Sequence, residues 1–245
     1  MYPNQEKINE IYSPFYGKCF LQNQIQNRYD VFEGTMVEIL DNQYDELNEL
    51  NDLLHEYLLI QRKHKEVGLN LNEIHETIIS YEQKLSVCHP SESNEIQKDA
   101  FIDINRRLTN FLTSFNSLIY DFLEKYMVPH LFGQNSQKSK DFTDLTRCWF
   151  DNNFAYKFLI CLRGYATHRN LPIQIFKFNF ENNKNKNPDL EVICTLLFRK
   201  STLLENRTLN RKFGNDLDLY NDEFPLLPFL EKIKTDLYGI MEANE

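Results

Sequence analysis

An arginine and a histidine lie five positions apart at the end of a strongly apolar segment, within residues 158–172. Arg163 carries a permanent positive charge, and the imidazole of His168 gains and loses a proton near neutral pH. This pair suits phosphodiester chemistry, in which His168 transfers a proton and Arg163 stabilises the negative charge that develops on the phosphate. Sensing of a nucleotide or a phosphate by the same two side chains is an alternative that the residues leave open.

Apolar residues at helical spacing predict that Arg163 and His168 end a helix, with Pro172 as its limit. On a regular helix, positions five apart lie about 140° from one another around the axis. The two side chains therefore converge only if the helix ends or loosens between Gly164, a weak helix former, and His168. In the structural alternative, Arg163 pairs with a carboxylate such as Asp121 and His168 caps its helix.

Asp121 is also a candidate catalytic residue in its own right. It interrupts the apolar run Leu118–Leu123 on the helix that precedes the arginine and the histidine. A carboxylate among apolar neighbours can take part in acid–base chemistry. The competing interpretation is that Asp121 belongs to the polar rim of its helix.

Apolar residues that recur every three or four positions predict a largely helical chain. We expect helices over about 43–68, 74–85, 96–127, 141–162 and 225–241. The fourth of these begins at Asp141, whose side chain is suited to cap a helix.

Two alternating segments around a polar loop, Ile173–Phe180 and Leu190–Phe198, predict a β hairpin. The expected fold class is therefore mainly α: a helical bundle with a small antiparallel β hairpin or sheet. Its parts are an N-terminal irregular or β segment (1–42), which would complete the sheet, the bundle (43–172), and the hairpin with the C-terminal helix (173–245). We expect all three to form one compact unit.

Positive charge is concentrated in one part of an acidic chain. The net charge is −9, but residues 163–212 hold ten basic and four acidic residues, so this window carries +6 and the rest of the chain −15. Such a window either contacts RNA or phosphate or is the solvated side of the hairpin. Arg169 and Lys177 are candidate phosphate ligands. Tyr165 is a candidate for stacking on a base, although aromatic residues at this spacing also fit a core.

Several functional classes are excluded. The seven glycines are too scattered for a phosphate-binding loop, and His55 and His75 each begin an H-E-x-x-H pattern that lacks the second histidine. We therefore expect no metal and no cofactor. The five cysteines form no C-x-x-C pair. Without a secretory leader or the roughly 20 apolar residues that span a bilayer, the chain is expected to be cytoplasmic and to make no membrane contact.

At the arginine–histidine pair the sequence resembles the HEPN superfamily, whose members carry an arginine, a short spacer and a histidine late in a helix of a compact bundle. The segment Arg163-Gly-Tyr-Ala-Thr-His168 fits this pattern with four intervening residues. Its surroundings are similar to one bacterial branch, in the segments that begin at Asn105, at Phe154 and at Leu171-Pro-Ile. The resemblance covers about residues 95–175. One departure is Gly164, because the residue after the arginine is commonly polar in active members.

The resemblance implies a metal-independent endoribonuclease, in which the 2′-hydroxyl of RNA attacks the adjacent phosphate. Arg163 would stabilise the transition state, His168 would act as general acid or base, and Asp121 would orient the pair. It also implies a homodimer through the helices that carry the motif. A role as a toxin or antiviral effector, with an antitoxin or regulatory partner, belongs to the same interpretation.

The competing hypothesis is a non-catalytic helical module that binds or regulates a partner, since many superfamily members keep the fold for binding only. It predicts a sealed arginine–histidine pair, an exposed apolar patch and no nuclease activity. Gly164 and the acidic total favour this hypothesis. The basic window and the helical context of the motif favour the nuclease.

Overall fold

A computed structural model describes residues 41–168, 171–182, 190–213 and 215–242. These residues form a mainly helical fold with a small three-stranded antiparallel sheet, which confirms the predicted fold class. The chain divides into two compact units, residues 1–62 and residues 63–245. Of the irregular or β segment predicted at 1–42, all but the last two residues lie outside the described ranges, and those two are helical.

The first described helix, α1, spans Asp41–Val87 without interruption. The prediction of two helices here, with the first ending near Gly68, is wrong. A glycine inside a helix costs only about 1 kcal/mol relative to alanine. Burial of one apolar stripe from Val67 onwards outweighs that cost and carries the helix through. The stripe consists of Val67, Leu71, Ile74, Ile78 and Leu85.

The second helix confirms the long helix predicted over 96–127. Helix α2 (Ser93–Asn116) continues directly into a π-helical stretch, Ser117–Met127. In a π-helix each N–H bonds five residues back, so the buried stripe drifts around the axis from its α-helical course. Tyr126, which the α-helical pattern assigns to the buried stripe, is accordingly 49% exposed. A short helix, α3 (Val128–Phe132), follows.

Two helices occupy the region where a single helix over 141–162 was predicted. Helix α4 spans Gln137–Asn152 and helix α5 spans Phe154–His168. The expectation that Asp141 caps the first of them is wrong, because the helix begins one turn earlier. Ser136 is its cap: the side-chain oxygen accepts a hydrogen bond of 3.1 Å from a backbone N–H in the first turn.

The predicted hairpin is confirmed. Strand β1 (Ile175–Asn182) pairs antiparallel with β2 (Leu190–Arg199). A third strand, β3 (Glu223–Pro225), pairs antiparallel with the end of β2, so that β2 is the central strand. Three residues are too few for alternation to be recognised in a sequence, which is why β3 was not predicted.

The C-terminal helix is confirmed as α8 (Leu227–Glu242). Three short elements link β2 to β3 and were not predicted. They are α6 (Lys200–Leu204), α7 (Arg207–Phe213) and a 3-10 turn (Asp216–Leu219).

Phe158 joins α5 to the sheet and to the C-terminal helices. Its side chain is fully buried. Its ring centroid lies 4.9 to 5.8 Å from those of five other phenylalanines, which come from α5 itself, β2, α7, β3 and α8. They are Phe154, Phe198, Phe213, Phe224 and Phe229. The core that holds α5 in place is therefore aromatic and shared by the helices and the sheet.

Replacing Phe158 with alanine is expected to lower the free energy of unfolding by about 3–5 kcal/mol, since the change leaves a cavity that five rings cannot close. Urea denaturation of the full chain, followed by circular dichroism, measures this loss. Phe132→Ala is the matched control, because Phe132 is 44% exposed. An equal loss of stability in both variants would contradict the shared aromatic core.

Candidate functional site

Helix α5 carries the arginine–histidine pair, and its start is fixed by Asn153. The backbone of Asn153 is extended, and its side-chain oxygen accepts a hydrogen bond of 3.2 Å from the N–H of Tyr156. Its amide nitrogen donates to Asp236 on α8 at 2.6 Å. The capping residue thus connects the first turn of α5 to the C-terminal helix by a side-chain hydrogen bond.

Most of α5 is buried, and its less buried positions lie towards its C-terminal end. The buried residues are Ala155, Tyr156, Phe158, Leu159, Cys161, Leu162 and Tyr165. The less buried positions include a strip formed by Ile160, Gly164 and Thr167, in which Ile160 is half-buried and packs against the core. We call these three residues the outward strip.

Arg163 and the backbone of His168 border the outward strip on its two sides. The helix remains regular up to His168, and Thr167 Oγ1 donates to the carbonyl oxygen of Arg163 at 2.9 Å. The loosening between Gly164 and His168 on which convergence depended is therefore absent, and the two Cα atoms lie about 140° apart around the axis. Within one chain, Arg163 and the backbone of His168 therefore lie on opposite sides of the outward strip.

The guanidinium of Arg163 has no partner among the described residues. Its Nε is buried and makes no hydrogen bond, although the residue as a whole is only half-buried. A buried donor left without an acceptor costs about 1–3 kcal/mol. An anion bound beside Arg163 would remove that cost.

Asp121 does not meet Arg163. It lies on the π-helical stretch, about half exposed, with its Oδ1 at 3.7 Å from Nζ of Lys125. The predicted pairing of Asp121 with Arg163 is therefore not found. An exposed ion pair with the residue one turn on is the arrangement of a polar helix rim.

The three candidate RNA ligands are placed differently from one another. Arg169 lies outside the described residues. Lys177 is exposed on β1 and pairs with Glu223 on β3. Tyr165 is 6% exposed and belongs to the core, so its ring has no free face for a base in this chain.

Three cations of the basic window have partners from outside it. Arg199 lies 3.7 Å from Glu223, which also binds Lys177. The ammonium of Lys200 donates to the carbonyl oxygens of Leu217 and Tyr220 at 3.4 and 3.1 Å. The charge count along the sequence therefore overstates the positive surface that the folded chain presents.

Asn105 fixes the chain just beyond α5, and the sequence reasoning assigned it no role. Its side chain is fully buried on α2. Its Oδ1 accepts from the N–H of Ile173 at 2.9 Å, and its Nδ2 donates to the carbonyl oxygens of Ile173 at 3.3 Å and Phe101 at 3.0 Å. A polar residue within the apolar stripe of α2 was the signal that pointed to it.

A cleft of about 530 Å³ lies between the π-helical stretch and α4. Its lining includes Lys125 and Arg147, but each already lies near a carboxylate, Asp121 at 3.7 Å and Asp144 at 3.5 Å. Glu124 also lines the cleft and accepts a hydrogen bond from Thr146 at 2.8 Å. The mixed and paired charges give this cleft no preference for an anionic or a cationic ligand.

The cysteines of the described ranges are free thiols. Burial raises the pKa of Cys161 on α5, where the nearby Lys212 acts in the opposite direction, and burial with the charge of Glu82 raises the pKa of Cys194 to about 12. Both thiols thus stay protonated and unreactive at neutral pH.

Two kinds of feature are missing from the described ranges. No group of three or more histidine, cysteine, aspartate or glutamate side chains is placed to hold a metal ion. No helix there is both long and apolar enough to cross a bilayer.

No protein-family model, curated protein or solved structure matches the chain. The resemblance of residues 95–175 to the HEPN superfamily therefore stays a prediction that is based on the residues themselves.

Proposed function

We propose that this protein is a metal-independent endoribonuclease whose reacting groups are Arg163 and His168. The observation that carries the proposal is the guanidinium of Arg163. Its Nε is buried without a hydrogen bond, no carboxylate of the described chain pairs with it, and it borders a surface strip whose other border is the backbone of His168. A substrate phosphate would supply the acceptor that this guanidinium lacks within the described chain.

The proposed reaction is an internal transfer within RNA. The 2′-oxygen forms a bond to the adjacent phosphorus while its proton passes to a base, and the bond from phosphorus to the 5′-oxygen breaks as that oxygen takes a proton from an acid. The products are a 2′,3′-cyclic phosphate and a 5′-hydroxyl, and no water is consumed. His168 serves as the general acid or base, and Arg163 stabilises the charge on the phosphorus-bound oxygens.

The separation of the two residues around α5 is the reason for proposing a symmetric dimer. Two copies that face each other through the outward strip bring Arg163 of one close to His168 of the other. Such an interface is isologous, so it forms two equivalent composite sites. This dimer also accommodates a helix that stays regular to its last residue.

Incubation of total RNA with the purified full chain in EDTA tests the proposal. We expect cleavage in EDTA, and we expect the fragments to carry 2′,3′-cyclic phosphate and 5′-hydroxyl ends. Fragments with a 3′-hydroxyl and a 5′-phosphate would mean that water or another external nucleophile attacks, which contradicts the 2′-hydroxyl mechanism. Absence of cleavage under all conditions would overturn the enzymatic proposal.

The second candidate function is a helical module that binds a partner, and one observation favours it. Along α1, five large apolar side chains lie at helical spacing and are each at least 40% exposed, which is unusual for a surface without a partner. They are Leu50, Leu53, Leu54, Tyr57 and Leu58. A partner on this face would explain them whether or not α5 carries a nuclease site.

A further inference from the structure

Gly164 occupies a helical position where nothing in the described fold requires a glycine. It lies inside α5, and Gly133 is the glycine of the described ranges that has a positive φ. A Cβ added at Gly164 would have no atom within 4 Å. Alanine would therefore fit at position 164 and would favour the helix, because glycine is among the poorest helix formers.

The surroundings of Gly164 supply a reason for the missing side chain. It lies in the outward strip, directly after Arg163 and between that residue and the backbone of His168. Without a side chain, position 164 leaves open space on the strip, directly after a residue whose Nε has no acceptor. Glycine is the residue that allows a ligand to approach a backbone closely.

We propose that Gly164 is a substrate-positioning residue: its missing side chain leaves a space between the two facing α5 helices of the proposed dimer, in which the reacting phosphodiester of RNA lies within reach of Arg163. This inference rests on the proposed ribonuclease function and adds to it the place where the phosphate binds. The glycine, which departs from the commonly polar residue of the HEPN pattern, becomes part of the site. Any side chain at position 164 then competes with the phosphate.

The test compares Gly164→Ala and Gly164→Leu with Gly68→Ala. Gly68 is the matched control, since it also lies inside a helix and a Cβ added there meets no atom within 4 Å. Both alanine variants are expected to raise the Tm by about 2–4 °C. Only the variants at position 164 lower kcat/KM for RNA, by at least about tenfold for alanine and about 10²-fold for leucine, because a phosphate displaced by about 1 Å loses its alignment.

If the Tm of Gly164→Ala rises while its kcat/KM falls, position 164 acts on the substrate and not on the stability of the fold. Full activity in Gly164→Leu would overturn the inference. A gain of activity in Gly164→Asn would also overturn it, because polarity at this position rather than space would then be limiting.

A binding experiment keeps this inference distinct from the proposed function. Fluorescence anisotropy with a 2′-O-methyl RNA oligonucleotide, which has no free 2′-hydroxyl, reports binding without cleavage. The wild type could bind this oligonucleotide and yet not cleave natural RNA. If binding then weakens at least about tenfold in both Arg163→Ala and Gly164→Leu, the phosphate site is supported and the nuclease proposal is overturned. Unchanged binding in Gly164→Leu, or no binding by the wild type, would overturn the inference.

Discussion

Replacing Arg163 with alanine is expected to lower the rate of RNA cleavage by about 10²–10³-fold, with little change in the free energy of unfolding. The rate falls because the loss of one preorganised donor to a developing oxyanion costs about this much. The free energy of unfolding changes little or rises, because no hydrogen bond of the guanidinium within the described chain is lost and the cost of its buried, unpaired Nε is removed. Steady-state cleavage of a fluorogenic RNA and urea denaturation measure the two effects on the same preparation.

The matched control for Arg163 is Arg211→Ala, which removes an exposed cation of α7 from the same basic window. This variant should cleave RNA at the wild-type rate, because we expect the loss in Arg163→Ala to come from its guanidinium and not from a lower total positive charge. Arg163→Lys should recover only part of the rate, because an ammonium lacks the planar, forked donors of a guanidinium. If Arg163→Ala cleaves RNA as fast as the wild type, the observed nuclease is a contaminant or uses other residues.

His168→Ala provides the second half of the same experiment. Loss of a general acid or base lowers rates by about 10²–10⁴-fold and removes one limb of the pH–rate profile. A mixture of the Arg163→Ala and His168→Ala chains tests the composite dimer. Mixed dimers regain one intact site, so activity that returns on mixing supports the proposed symmetric interface, and a mixture that stays inactive argues against it.

The helices and strands were predicted correctly where buried residues recur at one regular spacing. The stripe on α2 and the alternation in β1 and β2 were read correctly because each faces a single core over many residues. Errors arose where local signals were weaker than tertiary ones. Gly68 did not end α1, and Asp141 was a suitable cap that lies inside a helix already started by Ser136.

The candidate site was less predictable than the fold. Spacing located the arginine and the histidine on one helix, but only burial distinguishes Tyr165, which is in the core, from Arg163, whose charge remains available. The charge of the window 163–212 was also overestimated, because Glu223 lies beyond its end and pairs with Lys177 and Arg199. Partners distant in sequence cannot be counted from a local window.

Asn105 shows how a single polar residue can hold the segment that follows the motif helix. A side-chain amide that pairs with both the N–H and the carbonyl oxygen of Ile173 replaces the strand or helix partner that this buried backbone would otherwise need. It thereby fastens the chain that leaves α5 to the middle of α2.

Replacing Asn105 with alanine is expected to lower the free energy of unfolding by about 2–4 kcal/mol, since it leaves two backbone groups of Ile173 buried without partners. Asn105→Asp should cost at least as much, because a carboxylate would then face the carbonyl oxygens of Phe101 and Ile173 and would be buried without a counter-charge. Urea denaturation measures both losses. Hydrogen exchange at the amide of Ile173 reports the lost bond locally, and it should speed up by more than global unfolding alone would cause.

Asn110→Ala is the matched control for Asn105→Ala. Asn110 lies on the same helix and is exposed, so its replacement should leave stability unchanged or raise it slightly through the better helix propensity of alanine. If Asn105→Ala is as stable as Asn110→Ala, the amide does not hold the exit of α5.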